Sequence, residues 1–345
     1  MLAVFLLVVF SGMNKETGFG RNKCIAMQGI AALYVVLAHI HTFAAYSSPL
    51  VWWLYPINEV TILTNGMFFF ISGYGLWESS KNKANYLSVR SLACRLAKLL
   101  IPAYIVYFLY YFVMIYCGQE TSLIRHLLLA DVFSWFYYNG VVWFIIELFF
   151  LYIIFWIVYS HWTAAIGNRI MFTLIVSWTI IAALWGRGYV WYASTLCFLL
   201  GIVMSQTNGR LVLAYNTSGW VTVISIFALI PIFILFIQSA EMLGLRNAVY
   251  ANCSSLLFCI ICYLFTYKNS FGNLLSNWLG KFSYEIYLSH MMILKIIDRV
   301  DMNDSLKIYA TLCITIIAAY ILSIIDTKFV SVVCRCFSLE RGKDI

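Results

Sequence analysis

Charge is scarce in this chain. Asp, Glu, Lys and Arg make up 10% of its 345 residues, while 63% are hydrophobic. Soluble domains run near a quarter charged, so the deficit excludes a soluble enzyme or binding module and leaves a polytopic membrane protein. Acid is scarcer than base: 14 Asp and Glu face 22 Lys and Arg, a net charge of +8. That excess does not argue for nucleic acid, because the cations sit in short connections between apolar runs. No stretch of polar sequence is long enough for a separate extracytoplasmic domain, so any chemistry belongs inside the helical bundle or at its two mouths. No internal repeat is visible, tandem or inverted, which weighs against the commonest transporter architectures.

Aromatic residues are plentiful, with 24 Tyr and 12 Trp, as expected where rings line both membrane–water interfaces. The 10 Cys do not imply disulfides, since several lie in apolar segments where a thiol behaves as a small hydrophobe. Cys259 and Cys262 have CxxC spacing but fall within a predicted helix, and no metal site is expected. The apolar lead "LAVFLLVVF" is too short to span. It lacks the basic start and cleavage site of a signal peptide. Residues 1–12 therefore read as a doubtful lead, with Met13 an alternative start. Residues 13–335 read as one transmembrane domain, and 336–345 as a cytoplasmic tail.

A spanning helix needs about 20 mostly apolar residues. Ten such spans are expected: 24–45, 59–78, 97–117, 140–160, 168–185, 189–205, 218–238, 247–267, 278–297 and 306–326. Segment 120–138 is mixed and reads as interfacial or re-entrant. With the N-terminus placed inside, sixteen Lys and Arg fall in cytoplasmic connections and six outside. The bias puts both termini in the cytoplasm, as an even number of spans requires. The expected fold is an all-α bundle.

An ionisable residue within a span is a functional candidate. Three stand out: His39 in the first span, Glu147 in the fourth and His290 in the ninth. Counting from the span ends, all three lie roughly 10 Å below the outer surface at 1.5 Å per residue. They form either one acid–base site or a polar cluster that ties helices together. His41 is two residues from His39 and faces elsewhere, while His126 and His161 fall in connections. Gln28 and His39, eleven residues apart, share a face of the first span. In "SYEIYLSH", Ser283, Tyr287 and His290 follow i, i+4, i+7 spacing and share a face. Glu285 points away, one turn from Lys281. Arg90, Arg95 and Lys98 gather at the start of the third span, as phosphate ligands or as ordinary positive-inside anchors. In "GMFFFISGYGLW", Gly73 and Gly75 permit close helix approach or a local break, and Ser72 and Tyr74 offer hydroxyls at membrane depth.

Five segments, in order along the chain, resemble the acyltransferase type 3 family of integral-membrane acyltransferases. "QGIAALYVVLAH" is similar to its opening element, a basic residue, Gly, Ile and Ala leading to a His. "FFFISGYGL" is similar to its Phe-Phe-x-x-Ser-Gly-Tyr/Phe element. "RLAKLLIPAY" resembles its basic stretch before Pro102 and Tyr104. "WFIIELFFLY", with Trp143 and Glu147, and "LGKFSYEIYLSH" resemble two further elements. The resemblance implies transfer of an acyl group, usually acetyl, from cytoplasmic acyl-CoA to a hydroxyl of an envelope carbohydrate or its lipid-linked precursor, in a bacterial inner membrane.

On that resemblance, His39, Glu147 and His290 are the expected catalytic residues, and Gln28, Arg95 and Lys98 the expected donor-binding residues. Ser72, Tyr74, Trp143 and Tyr287 are the expected acceptor or oxyanion contacts. Acetyl-CoA is a co-substrate, with no resident cofactor. One departure stands out: Gln28 occupies the position where the family usually carries Arg or Lys, and it cannot neutralise a phosphate. Lys23 is about 160° round the helix from His39 and is a poor substitute. The alternatives are a transporter or flippase of envelope sugars or small polar solutes, and a structural partner in a glycan-assembly complex.

Overall fold

The structure, a computed structural model, describes residues 18–43, 61–119, 122–124, 142–207, 220–239, 244–268 and 270–339. The expected start at Met13, the apolar lead, and most of segment 120–138 with His126 lie outside these. Among the described residues there is no strand.

The helices are α1 (Arg21–Phe43), α2 (Thr61–Asn82), α3 (Val89–Tyr116), α4 (Val142–His161), α5 (Ala164–Leu184), α6 (Leu196–Gln206), α7 (Trp220–Ser239), α8 (Leu245–Lys268), α9 (Leu274–Gly280), α10 (Ser283–Asp298) and α11 (Asp304–Leu339). A 3-10 turn, Tyr189–Trp191, precedes α6. Among the described residues, seven helical segments are long and apolar enough to cross a membrane. This makes the protein an all-α, multi-pass chain.

The ninth expected span, 278–297, is two helices. A capping box at Asn273 opens α9, with Ser276 N–H donating to Asn273 Oδ1 at 2.8 Å. The chain then leaves helical geometry at Phe282, φ −130° and ψ 27°. The last helix, α11, extends past the expected span end at 326 and runs to Leu339.

The chain forms two compact units. The first holds residues 1–31, 59–86 and 157–281, the second 32–58, 87–156 and 282–345. In the first, glycine sets helix contact. A Cβ on Gly73 would meet the Phe198 carbonyl, and one on Gly201 the Phe70 carbonyl, so α2 and α6 touch backbone to backbone. Gly29 and Gly280 do the same for α1 and α9. This is how membrane helices associate where burying apolar surface gives no advantage over lipid. Lys23, fully buried, donates from Nζ to the Thr266 carbonyl at 2.6 Å, near the end of α8.

In the second unit, α10 packs on α3 and α11. Tyr110, Val113 and Met114 of α3 meet Met292, Ile293 and Ile297 of α10. Every residue from Ile286 to Leu294 is buried, so the middle of α10 is enclosed on all sides. Pro102 removes one N–H from the middle of α3. Beside it, the Tyr284 hydroxyl donates to the Leu99 carbonyl at 2.6 Å and ties α10 to α3.

Candidate active site

The second unit brings the two candidate imidazoles together. His39 stands near the end of α1 and His290 in the middle of α10, and their ring centroids are 4.8 Å apart at 55°. Tyr287, one turn before His290, has its ring centroid 5.8 Å from the His290 ring. Phe144 of α4 lies 5.1 Å from Tyr287, centroid to centroid, and 5.8 Å from its neighbour Trp143. Trp143 and Glu147, four residues apart, are both buried on α4, and Glu147 lies within electrostatic reach of the Tyr287 hydroxyl. Ser283, Tyr287 and His290 are all buried.

Hydrogen bonding fixes the tautomers. His39 Nδ1 lies 2.8 Å from the Val35 carbonyl, and His290 Nδ1 2.6 Å from the Tyr287 carbonyl. A carbonyl only accepts, so each Nδ1 carries the proton and each neutral ring presents a lone pair at Nε2. The group that orients His39 is therefore the carbonyl one turn back on its own helix. His290 Nε2 is buried and has no hydrogen-bond partner among the described residues. A neutral His290 in this tautomer has no N–H left at Nε2 for an oxyanion. His39 is half-buried while His290 is fully buried.

Arg95 and Lys98 lie on the first half of α3. Arg95 is buried, at 9% exposure, and Lys98 is exposed; only Lys98 faces outward as the expected cytoplasmic cation would. Gln28, Ser72 and Tyr74 belong to the first unit. The Tyr74 hydroxyl donates to the Phe19 carbonyl at 3.1 Å. Its ring packs with Phe19 at 4.9 Å, with Phe70 and Tyr263 around them. Of the four residues expected as acceptor or oxyanion contacts, Trp143 and Tyr287 belong to the second unit, and Tyr287 is the one whose ring adjoins His290. The side chain of His41 lies outside the described residues. His161 is exposed and bonds to the Ile157 carbonyl. Among the described residues no cluster of His, Cys, Asp or Glu could hold a metal ion.

Two contributors escaped the sequence reading. The Val35 carbonyl is a backbone atom with no side-chain signature. Tyr284 sits inside the quoted "SYEIYLSH" motif, yet its partner on α3 is 185 positions away in sequence.

A paired-histidine site with basic Nε2 atoms, a phenol and a carboxylate at membrane depth suits proton removal from a hydroxyl. No curated protein and no solved structure matches the chain. A family model described as an acyltransferase domain matches residues 24–325, from the first turn of α1 into α11. With its all-helical membrane architecture and its histidine cluster both inside that match, the chain belongs to the acyltransferase type 3 family.

Proposed function

We propose that the protein transfers an acyl group, acetyl in the simplest case, from cytoplasmic acyl-CoA to a hydroxyl of a surface polysaccharide or its lipid-linked precursor. The reading takes the ten spans, cytoplasmic termini and single catalytic domain inferred from the sequence, in a bacterial inner membrane. The observation that carries it is the His39–His290 pair, two imidazoles 4.8 Å apart with Nε2 lone pairs.

In this reading, His39 Nε2 takes the proton of the acceptor hydroxyl as its oxygen attacks the acyl carbonyl. The C–S bond then breaks, and the imidazolium returns the proton to the departing CoA thiolate. While His39 is charged, the His290 Nε2 lone pair shares its proton, and Glu147 supplies a compensating negative charge nearby. Tyr287 donates to the tetrahedral oxyanion, a role worth about 2.7–4 kcal/mol per donor. The Val35 carbonyl holds His39 in the basic tautomer throughout.

The test is base-labile O-acetyl on the host polysaccharide, read by proton NMR in a deletion strain. Wild type should restore the acetyl signal and His39→Ala at equal membrane level should not. Acetyl content unchanged by the deletion would remove this acceptor class.

A further inference from the structure

A cavity of about 610 Å³ opens in the first unit where α1 begins and α2 ends. Arg21 and Cys24 line it from α1, Tyr74, Gly75 and Glu78 from α2, and Lys83 from just beyond. Its volume suits a small-molecule site. Gly75 leaves the α2 wall bare, since a Cβ there would meet nothing within 4 Å. The one carboxylate is already engaged: Glu78 Oε1 takes Lys81 Nζ at 2.7 Å and the Ser205 hydroxyl at 2.7 Å. The other two charges are positive. Arg21 and Lys83 are exposed, and neither forms an ion pair among the described residues. The N–H groups of the first turn of α1 add partial positive charge to the same wall.

The position of Arg21 on α1 is informative. Arg21, Cys24 and Gln28 follow i, i+3, i+7 spacing, and Arg21 is eighteen residues, or five turns, before His39. Arg21 therefore lies on the His39 face, two turns before the glutamine that lacks a charge. Lys23 is turned away, buried and bonded to Thr266.

We propose that this cavity holds phosphate groups of the acyl donor between Arg21 and Lys83. The proposal rests on the acyl-CoA reading above. The recognised chemistry is a phosphate ester, and a phospholipid headgroup presents the same group, so both sources are tested.

The experiment is equilibrium binding of radiolabelled acetyl-CoA to the full chain in nanodiscs. Three variants are compared: Arg21→Ala with Lys83→Ala, the conservative Arg21→Lys with Lys83→Arg, and Gly75→Trp, which fills the cavity and keeps its charges. Size-exclusion profiles confirm folding. Loss of two charge-assisted contacts should weaken binding roughly a hundredfold. Gly75→Trp should weaken it too, and the conservative pair should bind like wild type. Unaltered affinity in the alanine pair would overturn the site and leave the acyltransferase reading intact. If wild type binds no acetyl-CoA, the donor reading fails. The site is then judged by phosphatidylglycerol retained in native mass spectrometry. Lipid lost from the alanine pair alone keeps a phosphate site with a headgroup in it, and equal retention overturns it.

Discussion

At the scale of the residue, the chemistry reduces to which nitrogen is free. His39 and His290 each spend Nδ1–H on a carbonyl of their own helix, at 2.8 and 2.6 Å, and so keep Nε2 for a substrate proton. In the proposed mechanism, the hydroxyl of Tyr287, whose ring adjoins His290, is the oxyanion donor. Tyr287→Phe should lower kcat by about 10²–10³ with little change in KM, because an oxyanion contact acts in the transition state. A KM rise at constant kcat in steady-state transfer assays would place Tyr287 in substrate binding instead. The imidazoles themselves were legible from sequence. A rise of 1.5 Å per residue converts distance from a span end into depth, and that arithmetic put His39 and His290 in one layer. The partner of His39 was not legible. A carbonyl four residues back is available to any helical histidine, and only the rotamer decides whether the ring turns to it or to Glu147.

At the scale of the element, glycine positions decide how closely helices approach. Gly73 and Gly201 place α2 and α6 backbone against backbone, and neither can accept a side chain without moving a carbonyl. Gly73→Leu should destabilise the first unit by about 1–3 kcal/mol, the usual cost of overpacking. Gly75→Leu, facing open space two residues on, should be near neutral. Thermal unfolding in detergent compares the two directly, and equal losses would mean that α2 and α6 separate freely. The sequence marked both glycines alike. Their different surroundings depend on α6, more than a hundred residues away. The break before α10 was hidden as well: Phe282 continues the apolar run, and its side chain carries no mark of the backbone leaving helical geometry there. The helices were readable because apolar runs of spanning length leave few alternatives.

At the scale of the whole molecule, the expected topology has a direct check. The sequence puts sixteen cations in the connections expected inside and six in those expected outside, which is the reason to expect both ends in the cytoplasm. Reporter fusions after Lys83, Arg210 and Lys268 should then be active only as cytoplasmic reporters, and fusions near Arg125, Arg187 and Arg246 only as external ones. The reverse pattern would invert the donor and acceptor sides. The length of α11 adds a constraint of another kind. Its 36 residues make a rod of about 54 Å at 1.5 Å per residue. A hydrocarbon layer near 30 Å could bury that rod only at a tilt beyond the roughly 40° seen in membrane helices. Part of α11 must therefore stand outside the hydrocarbon layer, and Lys328 and Arg335 occupy its final turns. An anionic leaflet attracts each such cation by about 1 kcal/mol. On the expected topology, with the end of α11 on the cytoplasmic side, these cations act as a float line that holds that end at the headgroups.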